Sequence, residues 1–395
     1  MKKKKIEQQQ IPTRLIKINS FLIAVIISAN IIAMAINMLI GLNNSIILPF
    51  IVSALISLVI NKKVNLIIIV PLSLFILSFF GISYIQIGAS IHLKEYLLSF
   101  FTFGITSFII ASQPFEVKKV MNYITLIYVL TSWVFINLDI DNMLPGNKMG
   151  LGYLILPIIL VCIHQIFYVK FSLSKKIFYL VILSWYGYFM IEVGTRGGFL
   201  SIALYILLLF VFGKKLNPSR LMICLLGLGL FTFIYSNFLS LLLSTKNILE
   251  DLNLNSYFIN KSITLIRENN ILNGRNTLYE LAFEGFKENW FYGNGIGFFH
   301  DFFGIYVHNL FLQILNEGGI LLLTPFVLIM FYGLFLMFFS KKIDRSFKLF
   351  ICFIFSLVIP RLMVSSIFWK EQIFWILIII MISFKCFKNY RFSNN

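Results

Sequence analysis

Two arginines and a histidine, each beside glycine or asparagine, are the residues of this chain best suited to chemistry. Arg196 stands in Gly194-Thr195-Arg196-Gly197-Gly198, Arg275 follows Asn273-Gly274, and His308 precedes Asn309 and then Glu317-Gly318-Gly319. A guanidinium is a planar fork of donors that grips phosphate oxygens in pairs. Histidine is the commonest general base near neutral pH. Each also has a plainer reading. Arg196 can snorkel to an interface or pair with Glu192 at i,i+4 spacing. Arg275 can be an exposed loop cation, and His308 an amphipathic boundary residue. The glycines favour the sharper reading at Arg196, because they let backbone pack close and leave the guanidinium to a phosphate. At Arg275 a cation is unfavourable for the helix dipole alone. Arginine and helix N-terminus pointing at one shared anion would resolve that conflict. Two arginines on one face point to a diphosphate.

Other candidates are narrower. Gly293, Gly295 and Gly297 resemble a dinucleotide fingerprint only in spacing, since no strand precedes them and no βαβ unit surrounds them; they read as a turn. His300 is the rival to His308 but has no comparable polar neighbours downstream. Two histidines in this region are too few for a histidine-clustered metal site, so no metal is expected. Arg361 is costly in an apolar run, and either faces a cavity and helps bind an anion or reaches the interface. His164 reads as a satisfied packing residue.

The elements that must position these residues are membrane helices. The 395 residues are 59% hydrophobic and 12% charged, against about 25% charged in soluble domains. So apolar a chain is expected to be an all-α, polytopic integral membrane protein. The net charge of +17 does not indicate nucleic acid, because the basic residues sit in short clusters between apolar runs, the positive-inside pattern. Cys162, Cys224, Cys352 and Cys386 lie in or beside apolar runs, so no disulfide framework is expected. No small-residue cleavage site follows the first apolar run, which reads as a retained helix.

Apolar runs near 20–40, 45–60, 64–83, 96–113, 120–138, 150–169, 177–194, 198–213, 221–244, 318–340, 349–366 and 370–386 give about twelve expected spans. The clusters Lys62-Lys63, Lys118-Lys119, Lys175-Lys176, Lys214-Lys215 and Lys341-Lys342, with the basic tail at 1–19 and the tail at 387–395, fall on one side. Both termini are therefore expected in the cytoplasm. The chain then divides into nine helices over 20–244, an extracytoplasmic loop over 245–308 and three helices over 309–386. The first half of the loop, with Asn253, Asn255, Asn260, Asn269 and Asn270, reads as irregular polar chain. From Arg275 to Trp290 the spacing of Leu278, Leu281, Ala282 and Phe286, opposite Glu280, Glu284, Lys287 and Glu288, predicts an amphipathic helix on the membrane surface.

Taken together, Thr195-Arg196-Gly197-Gly198, Gly274-Arg275, Gly293-Asn294-Gly295-Ile296-Gly297, and His308-Asn309 followed by Glu317-Gly318-Gly319 resemble, in order, the O-antigen ligase and Wzy-type polysaccharide polymerase superfamily. The resemblance covers roughly residues 190–325; the first half matches only as a set of hydrophobic spans. It implies a metal-independent, inverting glycosyltransferase of the bacterial cytoplasmic membrane, without a cofactor, using a polyprenyl-diphosphate-linked oligosaccharide. The family's diphosphate-binding arginines match Arg196 and Arg275, and its general-base histidine matches His308. Thr195, Gly197, Gly293, Gly295, Gly297, Asn309 and Glu317 would support them. Membrane lipid, and the flippase and chain-length regulator of the same pathway, are the implied partners. The motifs serve the donor and the base and do not choose between a polymerase and a ligase acting on lipid A-core or another acceptor. A compact loop without a protein-acceptor domain favours the polymerase. A polysaccharide or lipid-linked sugar transporter is the alternative of another class, although ionisable residues gather at one edge and not at the midplane where transporters place them. A scaffold for polysaccharide export is a third reading.

Overall fold

The structure, a computed structural model, describes residues 12–42, 46–61, 65–138, 145–193, 195–213, 238–252, 256–268, 274–340 and 343–387. Among these, every regular element is helical. The chain opens with α1 (Thr13–Ile27) and α2 (Ala29–Ile40), which meet at Ser28 with a bend of 73°. Then come α3 (Ile47–Asn61), α4 (Leu66–Ile87), α5 (Ile91–Ala111), α6 (Val117–Ile136), α7 (Lys148–Phe167), α8 (Leu173–Val193) and α9 (Arg196–Phe212). The polar stretch contributes α10 (Phe238–Asp251), α11 (Tyr257–Arg267), α12 (Arg275–Glu288) and the short α13 (Phe298–Phe303). Last are α14 (Leu310–Phe339), α15 (Arg345–Val364) and α16 (Gln372–Phe387).

Seven of the described helices, α4 to α8, α14 and α15, are long and apolar enough to cross a membrane, and the bent pair α1–α2 makes an eighth if counted as one span. The chain is therefore a helical membrane protein. Three further apolar helices, Ile47–Asn61, Arg196–Phe212 and Gln372–Ser383, are shorter. The run expected at 221–244 lies outside the described residues as far as 237, as do most of the basic clusters used to orient the chain.

Sequence character sorts the helices by depth. From Ile373 to Met381 every residue of α16 is buried, as a helix hydrophobic all round should be. It packs on α14 and α15, while α9 lies along α15 and α7 along α8. The apolar outer faces of α4 and α14, including Leu74, Leu328, Phe331 and Phe335, are exposed, as lipid-facing surface would be. His164 of α7 is buried with its Nδ1 2.8 Å from Tyr205 Oη of α9, a satisfied packing contact.

Two expectations are corrected. The run at 20–40 is not one helix but two, broken at Ser28. The segment read as irregular polar chain is mostly helical where it is described. Ser256 Oγ accepts the Ile259 N–H at 3.4 Å and caps α11. Ile259 and Ile263, one turn apart, then bury against Leu242 of α10. Asn260 lies inside this helix; Asn253, Asn255, Asn269 and Asn270 fall outside the described residues.

Candidate functional site

The site is built around a break. Gly319 in α14 has φ 62° and ψ −162°, which ends one helical run and starts another. Such a break strips partners from carbonyls before it and N–H groups after it. The turn that follows α12 supplies them. The Asn294 and Gly295 N–H groups donate to the Asn316 and Glu317 carbonyls at 2.7 and 3.1 Å. The Ile320 and Leu321 N–H groups donate to the Trp290 and Phe291 carbonyls at 2.9 and 3.2 Å. Backbone this close leaves no room for side chains. A Cβ on Gly293 would lie 2.5 Å from the Gly318 nitrogen, and one on Gly319 would lie 2.3 Å from the Phe291 oxygen.

The same turn is tied to the start of the chain. Ile296 N–H donates to Ser83 Oγ at 2.8 Å, and Gln86 Nε2 donates to the Gly293 carbonyl at 3.2 Å. Gly297, at φ 84°, sits where a Cβ would be 3.1 Å from His92 Cβ and the Leu93 nitrogen. Glu317 is buried beneath it. Its carboxylate accepts from Gln313 Nε2 at 2.9 Å and Trp369 Nε1 at 2.6 Å, and from the Gly297 backbone. Gly293, Gly295, Gly297 and Glu317 thus contact one another, α4, α5 and Trp369; their task is to hold the loop.

The residues fitted for chemistry gather beside this clamp. Asn309 caps α14, its Oδ1 accepting from Phe311 and Leu312 N–H at 3.1 and 3.2 Å. That fixes the residue before it. His308 has φ 58°, the one positive φ outside glycine among the described residues, a strained conformation that persists only where surroundings enforce it. Tyr279 Oη donates to the His308 carbonyl at 3.4 Å. Tyr279 and Arg275 are one turn apart on α12, so this contact brings Arg275 towards His308. The Tyr306 ring lies 3.9 Å from the His308 ring, centroid to centroid. Buried His308 Nδ1 has no hydrogen-bond partner among the described residues. Burial and, next, the Arg275 charge push the His308 pKa down to about 4, against a raising contribution from the Val364 backbone. The imidazole is therefore neutral at pH 7. Burial raises the Tyr306 pKa to about 12, with Arg275 and Arg361 opposing the rise. Tyr306 is thus a neutral phenol within the field of two cations.

The Thr195–Gly198 turn reaches the cluster through Tyr153. Thr195 Oγ1 accepts the Gly198 N–H at 3.3 Å and caps α9, with Arg196 as its first residue. A Cβ on Gly197 would lie 1.9 Å from Tyr153 Oη. Tyr153 Oη in turn bonds Ser365 Oγ at 2.7 Å, and the Arg361 guanidinium stands 5.1 Å over the Tyr153 ring. Arg275 thus acts on His308 through its charge and through Tyr279 on the same helix, and the Arg196 turn packs on Tyr153, over which Arg361 stands. No three of His, Cys, Asp and Glu converge as a metal-binding group among the described residues.

Sequence reasoning missed several participants. Tyr153, Tyr306 and Glu371 carried no motif. The polar surroundings of His300 were also missed, because they come from α5: its Nδ1 is 2.7 Å from Tyr96 Oη, and its ring stacks on His92 at 3.6 Å. His92 Nδ1 lies 2.6 Å from Asp301 Oδ1. Burial, with the neighbouring His92 and Lys370, lowers the His300 pKa.

Two outcomes follow from this geometry. Gly293→Ala should lower the thermal midpoint in detergent far more than Gly274→Ala. Both positions have positive φ, but a Cβ at Gly274 meets nothing within 4 Å; it should cost only the strain of about 1–2 kcal/mol. Equal midpoints in the two variants would contradict the clamp. The second concerns pH. Unfolded histidine titrates near 6.5 and folded His308 near 4, so between these values only the unfolded chain takes the proton. Stability is full above 6.5 and falls as pH drops towards 4. Chemical denaturation at pH 7 and pH 5 should show a smaller loss for His308→Gln than for the unaltered chain, with His300 supplying part of what remains.

No protein-family model matches this chain, and no curated protein matches it.

Proposed function

We propose that the protein is a membrane glycosyltransferase that uses polyprenyl-diphosphate-linked glycans at the outer face of the bacterial cytoplasmic membrane. In this reading it polymerises the repeat units of a surface polysaccharide. The observation that carries the proposal is a neutral His308 imidazole, its Nδ1 unpartnered among the described residues, packed on Tyr306 and within the field of Arg275. A cation for a leaving diphosphate and a base for an incoming hydroxyl are the two groups an inverting transfer needs. The ordered resemblance of residues 190–325 to the O-antigen ligase and Wzy-type polymerase superfamily supports the same reading. The expected arrangement of about twelve spans, with cytoplasmic termini inferred from the basic clusters, is compatible with it.

The acceptor hydroxyl loses its proton to His308 as its oxygen attacks the anomeric carbon from the face opposite the diphosphate. The bond from that carbon to the diphosphate oxygen breaks, and its electron pair leaves with the diphosphate. Arg275 and Arg196, with the N–H groups that open α9, offset the charge that develops there, the usual largest contribution to catalysis. A pKa of about 4 makes His308 by itself a weak base. A bound diphosphate counters the Arg275 charge and raises the proton affinity of the imidazole. The leaving group needs no acid, so a second titratable residue has no part in the step.

A second reading, transport of the lipid-linked sugar, draws on the two broken helices, α1–α2 at Ser28 and α14 at Gly319, since discontinuous helices often line transport sites. Ligation of the finished glycan to lipid A-core is the alternative within the enzymatic reading.

Arg275→Ala and His308→Ala should each abolish polymer while the protein still inserts in the membrane. Lipid extracts of both variants should then accumulate single lipid-linked repeat units on the outer face. Normal polymer yield and length in both would sink the enzymatic reading. Accumulation of long lipid-linked chains would mean a ligase, and an inward-facing pool of repeat units would mean a transporter.

A further inference from the structure

We infer that Arg361 is a third diphosphate-binding cation of this site, held for that purpose by Glu371; the inference rests on the proposed function above. Arg361 lies in the last turn of α15. Its Nη1 is 3.2 and 3.0 Å from the two carboxylate oxygens of Glu371. Glu371 is fully buried, with a second donor in Ser366 Oγ at 3.2 Å. A guanidinium carries five N–H donors, and among the described residues only Nη1 of this one is bonded. Arg361 Nε is buried and has no hydrogen-bond partner among the described residues. A buried donor left in this state costs free energy, and native structures rarely keep one without a use.

The position of these spare donors gives the use. The guanidinium stacks over Tyr153, against which Gly197 of the Thr195–Gly198 turn is pressed. Its charge also acts on Tyr306, whose ring packs on His308. Arg361 is thus a cation that bears on both Tyr153 and Tyr306, and about a quarter of its side chain is exposed, at 23%, so a ligand can reach the guanidinium although Nε itself is buried. A structural pair would spend its arginine on its carboxylate. Here Glu371 takes Nη1 alone and fixes the plane of the fork, which leaves the other donors for a ligand. Phosphate oxygens are the acceptors that match a fixed guanidinium edge. The chemistry is that of a diphosphate, whether free or at the head of a lipid.

The test titrates the purified full-length protein in detergent by calorimetry, with polyprenyl diphosphate and separately with inorganic pyrophosphate. Arg361→Gln should weaken binding of polyprenyl diphosphate about tenfold or more, the loss of a charge-assisted pair, with Arg361→Lys between the two. Because breaking a buried pair leaves an uncompensated charge, the double variant Arg361→Gln/Glu371→Gln is measured as well. It removes both charges and should bind as weakly as the single variant. Unaltered affinity in both Gln variants, with affinity lost in Arg275→Ala, overturns the role of Arg361 and leaves the proposed function standing. Binding of inorganic pyrophosphate alone, with none of the lipid form, overturns the lipid-linked reading and this inference with it. So does binding of neither ligand by the unaltered protein.

Discussion

Four main-chain hydrogen bonds between the broken helix α14 and the turn at 290–295 are the constraint on which the rest of the site depends. A helix interrupted inside an apolar bundle exposes N–H and carbonyl groups that lipid cannot satisfy. The turn after α12 satisfies four of them by laying its backbone directly on the break. That contact is possible only because Gly293 and Gly319 have no side chains to keep the two backbones apart. Once formed, it fixes the end of α12 against the start of α14, where Asn316 Nδ2 also donates to the Ala282 carbonyl at 3.1 Å. Arg275 at one end of α12 and His308 just before α14 then share one region.

The second constraint is electrostatic. The neutral His308 packs on the Tyr306 ring, the charges of Arg275 and Arg361 both act on Tyr306, and Glu371 is the one carboxylate bonded to any of them among the described residues. Burial strips water from these groups and makes their mutual repulsion stronger than it would be at an open surface. The depressed His308 pKa expresses desolvation first and repulsion from Arg275 second. An arrangement that disfavours a proton on its own imidazole is stabilised by an anion, and two phosphate charges answer it better than one. The other buried carboxylate, Glu317, is fully engaged by Gln313, Trp369 and the Gly297 backbone and serves the clamp.

Much of this was legible in the residues. Composition and run lengths gave an all-helical membrane protein, and amphipathic spacing gave α12 to within two residues of its observed end at Glu288. Gly274-Arg275, the glycine turn and His308-Asn309 were recognisable because short motifs carry local geometry: a left-handed cap, a tight turn, a side-chain cap. What the sequence concealed was long-range. Ser83 and Gln86 hold a turn more than 200 positions away, and nothing near them in the chain marks that. Tyr153 matters because Gly197 leaves room for its hydroxyl. Arg361 read equally well as an interface residue until Glu371 and Tyr153 appeared beside it. The helix α11 was missed for a different reason: its asparagines outweighed the one-turn spacing of Ile259 and Ile263, which packing against α10 makes decisive.

The central claim is that this cluster breaks a bond to a lipid-linked diphosphate. It is tested most directly with the purified protein in proteoliposomes, supplied with a polyprenyl-diphosphate-linked repeat unit as sole substrate. Longer lipid-linked glycans should form, with one polyprenyl diphosphate released for each new glycosidic bond. Repeat units that stay unextended while crossing the bilayer, or that stay unextended in place with no polyprenyl diphosphate released, would contradict it.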